Sequence, residues 1–224
     1  MAVTVDNISM RYESAEVFSG FSASFRDGAV SCRMGPTGCG KSTLLNILAG
    51  LAEPSSGSVS GLSGRSVSYA FQEPRLLPWK SVEGNVDFVL DRSLPAADRS
   101  ARVARWLDAV RLSDAASLWP SQLSGGMARR ASLARTFVTE ADILLLDEPF
   151  SGIDMAVKRS MMKDLKDLWT SSGTTVIMVT HDVDEALAVG DEVFVLSRHP
   201  VRLLLQESVS GDLDSLRAGI LALL

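Results

Sequence analysis

The chain alternates between runs that are apolar almost without a break and stretches where apolar residues recur with a period. Ile143-Leu144-Leu145-Leu146 and Thr174-Thr175-Val176-Ile177-Met178-Val179 are continuous runs of strand length, as expected of strands buried on both faces. Ala29 to Met34, Val67 to Phe71 and Val193 to Leu196 read the same way, the last of them as the final strand. Near the N-terminus the period is two: Val3, Val5 and Ile8, then Phe21, Ala23 and Phe25, alternate with polar residues. Asp27-Gly28 is a turn signal between this half-buried β layer and the strand that follows. A loop from Glu53 to Gly57 leads to a short strand at Val59.

Elsewhere the period is helical. Val103, Trp106, Leu107 and Val110 fall on one stripe and predict a helix from Ala96 to Leu112, with Arg99, Arg102, Arg105 and Asp108 off the stripe. That stripe is core, not a cofactor surface. Further helices are expected over Thr43 to Ala49 with Gly50 as a stop, Gln122 to Thr139, Val157 to Trp169 with Gly173 as a stop, and Asp184 to Val189. The tail, Leu213 to Leu224, reads as a weak terminal helix. Strands separated by helices predict an α/β fold with a mostly parallel sheet, and the texture between Glu73 and Glu140 is helical.

Composition narrows the class. A chain of 224 residues with 46% apolar content is one domain with a full core. No apolar run is long enough to cross a bilayer, and Met1 to Met10 contains Asp6 and no basic segment, unlike a secretory signal. A net charge of −5 argues against a free-standing nucleic-acid binder. Cys32 and Cys39 fall on one strand and the loop after it, so both are expected as reduced thiols. Cys39 is either sensitised by an electropositive loop or inert.

The candidate chemistry starts at Gly35-Pro36-Thr37-Gly38-Cys39-Gly40-Lys41-Ser42, which fits the phosphate-binding loop pattern at every fixed position. Its glycines let backbone N–H groups turn inward around a polyphosphate, and the helix that follows presents its free N–H groups to the same anion. Lys41 is expected on the β- and γ-phosphates and the Ser42 hydroxyl on Mg²⁺. Four apolar residues then Asp147-Glu148 look like a buried strand ending at a reactive edge, the first acid assisting the Mg²⁺ site and the second taking a proton from water. Gln72 leaves one strand and His181 another at the same kind of edge; by position alone each is equally an ordinary polar strand end. Ser124-Gly125-Gly126-Met127 opens a helix with a good N-cap and accessible N–H groups, a second potential anion site. Tyr12, after the first strand, can stack on an adenine but alone reads as a strand-end aromatic. Arg129, Arg130 and Arg135 read as a solvated face.

The order of these pieces resembles the nucleotide-binding subunit of ATP-binding cassette (ABC) transporters, over nearly the full chain. Leu123-Ser124-Gly125-Gly126 upstream of Asp147-Glu148 is the specific part. The resemblance implies a RecA-like P-loop core formed by 1–72 and 141–224, with an N-terminal antiparallel β layer and an inserted helical lobe, 73–140. It implies ATP and Mg²⁺, with Tyr12 on adenine, Gly35 to Thr43 as the phosphate loop, and Ser42, Gln72 and Asp147 around the metal. Lys41, Gln72, Glu148 and His181 are the implied catalytic group, Glu148 as the general base. Ser124 to Met127 and Asp154, in the turn Ser151 to Asp154, would meet a nucleotide across a head-to-tail dimer. Implied partners are a second cassette, membrane-embedded permease subunits and an extracytoplasmic solute-binding protein, with this chain on the cytoplasmic face.

Gln72 to Trp79, Val82 to Val86 and Leu196 to Pro200 resemble the nitrate/sulfonate/taurine importer branch in particular. Met127 stands where Gln is more usual, and Gly152-Ile153 where Ala-Leu is common; neither removes a group assigned to chemistry. The alternatives are an exporter or lipoprotein-release ATPase and a soluble non-transport cassette. Against the DNA-organising kind, only 82 positions separate Ser42 from Ser124, too few for an inserted coiled coil.

Overall fold

The computed structural model describes residues 2–12 and 15–224. Two sheets share the chain. The smaller is three-stranded and antiparallel, in the order β2-β1-β4, from β1 (Val3–Tyr12), β2 (Ala15–Phe25) and β4 (Ser56–Ser60). The larger has β3 (Val30–Met34), β5 (Val67–Ala70), β6 (Ile143–Asp147), β7 (Thr175–Val179), β8 (Glu192–Leu196) and β9 (Leu203–Ser208), in the order β5-β6-β7-β3-β8-β9. Its neighbours pair in parallel except β8 with β9.

The unbroken apolar runs sit where their pattern puts them. Every residue of β3, β6 and β7 is buried. Successive residues of β6 face opposite layers, as the pleat requires: Leu144 and Leu146 join one core and Ile143 and Leu145 the other. The second core lies between the two sheets and contains Leu44, Leu45, Ile47 and Leu48 of α1 (Lys41–Leu48). The first core holds the opposite face, with α2 (Val82–Asp87), α3 (Ala96–Ala109), α4 (Gly125–Phe137), α5 (Met155–Ser172), α6 (Val183–Val189) and α7 (Leu213–Leu221) packed around it or beside it. The Trp106 stripe is core as expected, with Trp106 tilted against Phe137 at 5.4 Å between ring centroids.

Two expectations are corrected, and one helix is added that the sequence did not single out. The Val193 to Leu196 strand is not the last: β9 returns antiparallel to it as an exposed edge, without the apolar pattern that marks a buried strand. α2 was not signalled by periodicity; Ser81 caps it, and the Asn85 amide, fully buried, bonds Leu77 N and O, Lys80 O and Ser81 O. The arginines of α4 are not a solvated face. Arg129 is buried and donates to Phe71 O at 2.7 Å, Arg135 donates to Pro74 O and Arg75 O at 2.9 Å, and Arg130 donates to Val110 O at 2.9 Å. They satisfy carbonyls of irregular backbone that has no ladder partner.

One buried charge lies in the layer between the sheets. Arg33 of β3 is fully buried, with its guanidinium carbon 3.5 Å from the Phe194 ring centroid and 4.2 Å from that of Phe25. Nε and both Nη atoms lack a hydrogen bond, and burial pushes its pKa down to about 9.

Candidate active site

The phosphate loop joins β3 to α1 at the C-terminal edge of the larger sheet. Gly38 and Gly40 have φ of 78° and 103°, and a Cβ on Gly40 would come within 2.5 Å of Val17 Cγ1. Only glycine therefore lets this loop seat against β2. Lys41 is 7% exposed, and its ammonium donates to Gly35 O at 2.7 Å and Pro36 O at 2.9 Å, spanning the mouth of the loop. Cys39 is buried and its thiol is pushed up by burial, so it is not a sensitised nucleophile; Cys32 is likewise free, buried and pushed up.

Three strand ends meet this loop. β6 delivers Asp147, buried, whose carboxyl is raised by burial against a hydrogen bond from Ser42. Glu148 follows in a left-handed conformation, φ 46°, its N–H donating to Val179 O at 2.9 Å across to β7. β5 ends just before Gln72, whose Nε2 is 3.4 Å from Glu148 Oε2. β7 ends just before Thr180-His181, and His181 Nδ1 is 3.3 Å from Glu148 Oε1. A non-glycine residue held at positive φ among such groups is a mark of a functional site.

A cleft of about 380 Å³ opens over the loop, lined by Thr37, Gly38, Gly40, Lys41, Ser42, Thr43, Gln72, Asp147 and Glu148, with Tyr12 at its rim. The tyrosine is 48% exposed, an aromatic face open to solvent. Gly35 and Cys39 lie buried beneath, and Pro36 carries one of the carbonyls held by Lys41. Ser124 to Met127 and Asp154 do not line this cleft, and His181 does not line it either but reaches it through Glu148. Ser124 caps α4, accepting from Met127 N at 3.2 Å, and Asp154 caps α5, accepting from Ala156 N at 2.9 Å. Sequence reasoning missed four lining residues, Ala15, Val17, Val179 and His199. His199 sits in the β8–β9 connection, tied to β2 by Val201 N donating to Val17 O at 2.9 Å. The signal for it was present, since the stretch Leu196 to Pro200 stood out, but not which cleft it would reach.

The donor set fits a hard divalent cation held with a polyphosphate. The Ser42 hydroxyl, hydrogen-bonded to the Asp147 carboxylate, and the Gln72 amide bring oxygen donors to one cleft, and among the described residues no cluster of three His, Cys, Asp or Glu competes for a softer metal. Mg²⁺ is usually held this way, by one or two protein oxygens plus phosphate oxygens and waters. An anion cradle, a buried lysine and a carboxylate poised over the cleft define the class: a P-loop ATPase that works with ATP and Mg²⁺.

Comparison with known proteins gives the family. The family model described as ABC transporter matches residues 18–151, and the chain belongs to that family. It is 45% identical over 202 residues to the aliphatic sulfonates import ATP-binding protein of Mycobacterium sp. (strain MCS), covering 90% of this chain and 82% of that one. It is 38% identical over 212 residues to the taurine import ATP-binding protein of Chromobacterium violaceum, covering 91% and 81%. The fold matches a dimeric structure of the ATP-binding cassette MJ0796 in a post-hydrolysis state bound to ADP and Pi, with a TM-score of 0.84, 26% identity, and 94% and 100% of the two chains covered. It also matches cbiO1 from Clostridium perfringens, part of the ABC transporter complex cbiONQ, with a TM-score of 0.80, 27% identity, and 98% and 92% covered. The fold is thus the RecA-like P-loop core with an N-terminal antiparallel sheet.

Proposed function

We propose that this chain is the ATP-hydrolysing subunit of an importer for a small sulfonate or taurine-like solute. The carrying observation is the 45% identity, over nine-tenths of the chain, to an aliphatic sulfonates import ATP-binding protein. In this reading it sits on the cytoplasmic face of the membrane against permease subunits, and an extracytoplasmic binding protein supplies the solute. The chain divides into a core, 1–72 with 141–224, and a lobe, 73–140, where three helices pack together beside the sheet.

The residue roles belong to the same proposal. Tyr12 stacks on the adenine. Gly35 to Thr43 wrap the phosphates, Lys41 meets the β- and γ-phosphates, and Ser42, Gln72 and Asp147 surround the metal. Mg²⁺, when bound, neutralises charge on the phosphate oxygens. Glu148 orients and deprotonates the attacking water, since its carboxylate faces the cleft and is held on one side by His181 and on the other by Gln72. Ser124 to Met127 and Asp154 serve the nucleotide of a second copy in a head-to-tail pair. Their position outside their own cleft supports that assignment, because a capped helix start with free N–H groups is then matched to a phosphate on the facing subunit.

The test is growth of the source cell with the gene deleted, with taurine or alkanesulfonates as sole sulfur source. Loss of growth on a sulfonate but not on sulfate, restored by the wild-type chain and not by Lys41→Ala, is the expected result. Unimpaired growth on every sulfonate tried would sink the solute class and leave the ATPase.

A further inference from the structure

Lys158 is a lysine on α5 that none of the roles above uses. It lies one turn into the helix capped by Asp154, and its backbone N–H donates to Asp154 O at 2.8 Å. Its ammonium, on a side chain only 11% exposed, reaches out of α5 to Asp182 Oδ2 at 3.0 Å and Glu185 Oε1 at 2.8 Å. The other oxygen of each carboxylate is committed as well. Asp182 Oδ1 caps α6, accepting from Asp184 N at 2.9 Å. Glu185 Oε2 accepts from the Thr180 hydroxyl at 2.6 Å, and that hydroxyl accepts in turn from Asp182 N at 3.1 Å. Both neighbours of His181 in the chain, Thr180 and Asp182, are therefore locked into the cluster around Lys158.

His181 itself is not locked. Its side chain is 63% exposed, so packing holds it little and its backbone sets where Nδ1 meets Glu148. The other end of the connection is equally specific. A Cβ on Gly126 would lie 2.8 Å from Gly152 O, so the start of α4 touches the Ser151 to Asp154 turn backbone to backbone. A continuous run of contacts thus leads from Gly126 through the turn, α5 and Lys158 to the backbone that carries His181.

We infer that Lys158 is a positioning residue for hydrolysis: its bridge to Asp182 and Glu185 ties the Ser151 to Asp154 turn to His181, and so sets the imidazole against Glu148. This rests on the roles proposed above for His181 and Glu148. Stability alone is a poor reason for the arrangement, because buried ionic clusters are often no better than apolar packing of the same volume. The bridge fixes a geometry. Whatever shifts the turn, including a nucleotide of a second copy at the start of α4, moves the imidazole of the same chain.

The test compares ATP turnover, MgATP affinity and thermal midpoint for four variants of the full chain. Lys158→Met is expected to lower kcat about tenfold or more with MgATP affinity changed less than about twofold, the pattern of a lost transition-state arrangement. Lys158→Arg, which keeps a cation for both carboxylates, is expected to recover most of kcat. Lys158→Met with Glu185→Gln removes charge of both signs, so its midpoint recovers while kcat stays low. That double variant decides the matter even where Lys158→Met folds poorly. Recovery of kcat together with the midpoint makes the bridge structural and overturns the inference, as does an undiminished kcat in Lys158→Met. His181→Ala, measured in parallel, separates the two failures. If it turns over ATP at the parent rate, the reading of the site itself is wrong. If it is inactive while Lys158→Met is active, the inference alone falls.

Discussion

His181 Nδ1 stands 3.3 Å from Glu148 Oε1, joining the ends of two neighbouring strands over the phosphate loop. The carboxylate is presented there by a backbone that a glutamate adopts reluctantly, φ 46°. Left-handed conformation costs a non-glycine residue about 1–2 kcal/mol, while glycine there loses about 0.5–1 kcal/mol in chain entropy. Glu148→Gly is therefore expected to leave the thermal midpoint unchanged or higher and to abolish hydrolysis. Glu148→Gln should bind MgATP normally and lose about 10²-fold or more in turnover, since the amide keeps the shape and cannot take the proton. Calorimetry, nucleotide titration and phosphate release check these outcomes. Hydrolysis by either variant at the parent rate removes Glu148 as the base.

Lys41 presents a different kind of preorganisation. Its ammonium is held by two carbonyls of its own loop, Gly35 O and Pro36 O, in the cleft that Asp147 and Glu148 also line. Lys41→Ala is expected to weaken MgATP binding by about tenfold or more, because a charge-assisted contact to a partly desolvated phosphate is lost. Lys41→Arg should fail as well. The side chain is 7% exposed, and a planar guanidinium does not fit where a compact ammonium spans the loop. Equilibrium titration with a fluorescent ATP analogue is the measurement.

Asp147 is a carboxylate whose charge the surrounding fold disfavours. Burial raises its pKa and the neighbouring Glu148 adds to the effect, while the Ser42 hydrogen bond and Lys41 oppose it. A carboxyl raised in the folded state destabilises the fold when ionised, and the penalty disappears as pH falls through the raised value. Asp147→Asn is thus expected to raise the thermal midpoint of the nucleotide-free protein at neutral pH, with the difference from wild type shrinking toward acid pH. The same variant should lose the Mg²⁺-dependent part of ATP affinity. Midpoints across a pH series, with and without MgATP, test both halves.

Much of this architecture is legible in the sequence. A parallel strand buried on both faces has one compositional solution, an apolar run, and Ile143 to Leu146 and Thr174 to Val179 announce themselves that way. The phosphate loop and Asp147-Glu148 are equally local, because the chemistry demands particular residues at fixed spacing. What was hidden depends on contacts distant in sequence. Arg129 looked solvated because its partner, Phe71 O, lies 58 positions away. α2 has six residues, too few for a legible period; Val82 and Val86 bury in the core, and the Asn85 side chain fills four backbone sites around it. β9 is an edge strand with no face fully buried, so its pattern carries no period to read. His199 came to the cleft through a hairpin whose docking on β2 no local spacing encodes.

Arg33 is the clearest departure from what a central strand wants. Its cross-strand partners are Val179 and Phe194, and its guanidinium lies against two rings with Nε and both Nη atoms unbonded. Stacking on a desolvated ring returns about 2 kcal/mol or somewhat more, whereas removing a guanidinium from water costs several kcal/mol. Glu192, beside it on β8, supplies a favourable field but no hydrogen bond, and its own oxygen is 3.4 Å from the Ser31 hydroxyl. Arg33→Met keeps an unbranched side chain, shorter than arginine by the end of the guanidinium, puts a polarisable thioether near Phe25 and Phe194, and removes the charge. It is expected to stabilise the fold by about 1–3 kcal/mol, a rise of roughly 3–10 °C in midpoint for a chain of this size. ATP turnover should change little, because Arg33 lies beneath the loop and lines no part of the cleft. A lower midpoint in the variant would mean that the two ring contacts outweigh the buried charge.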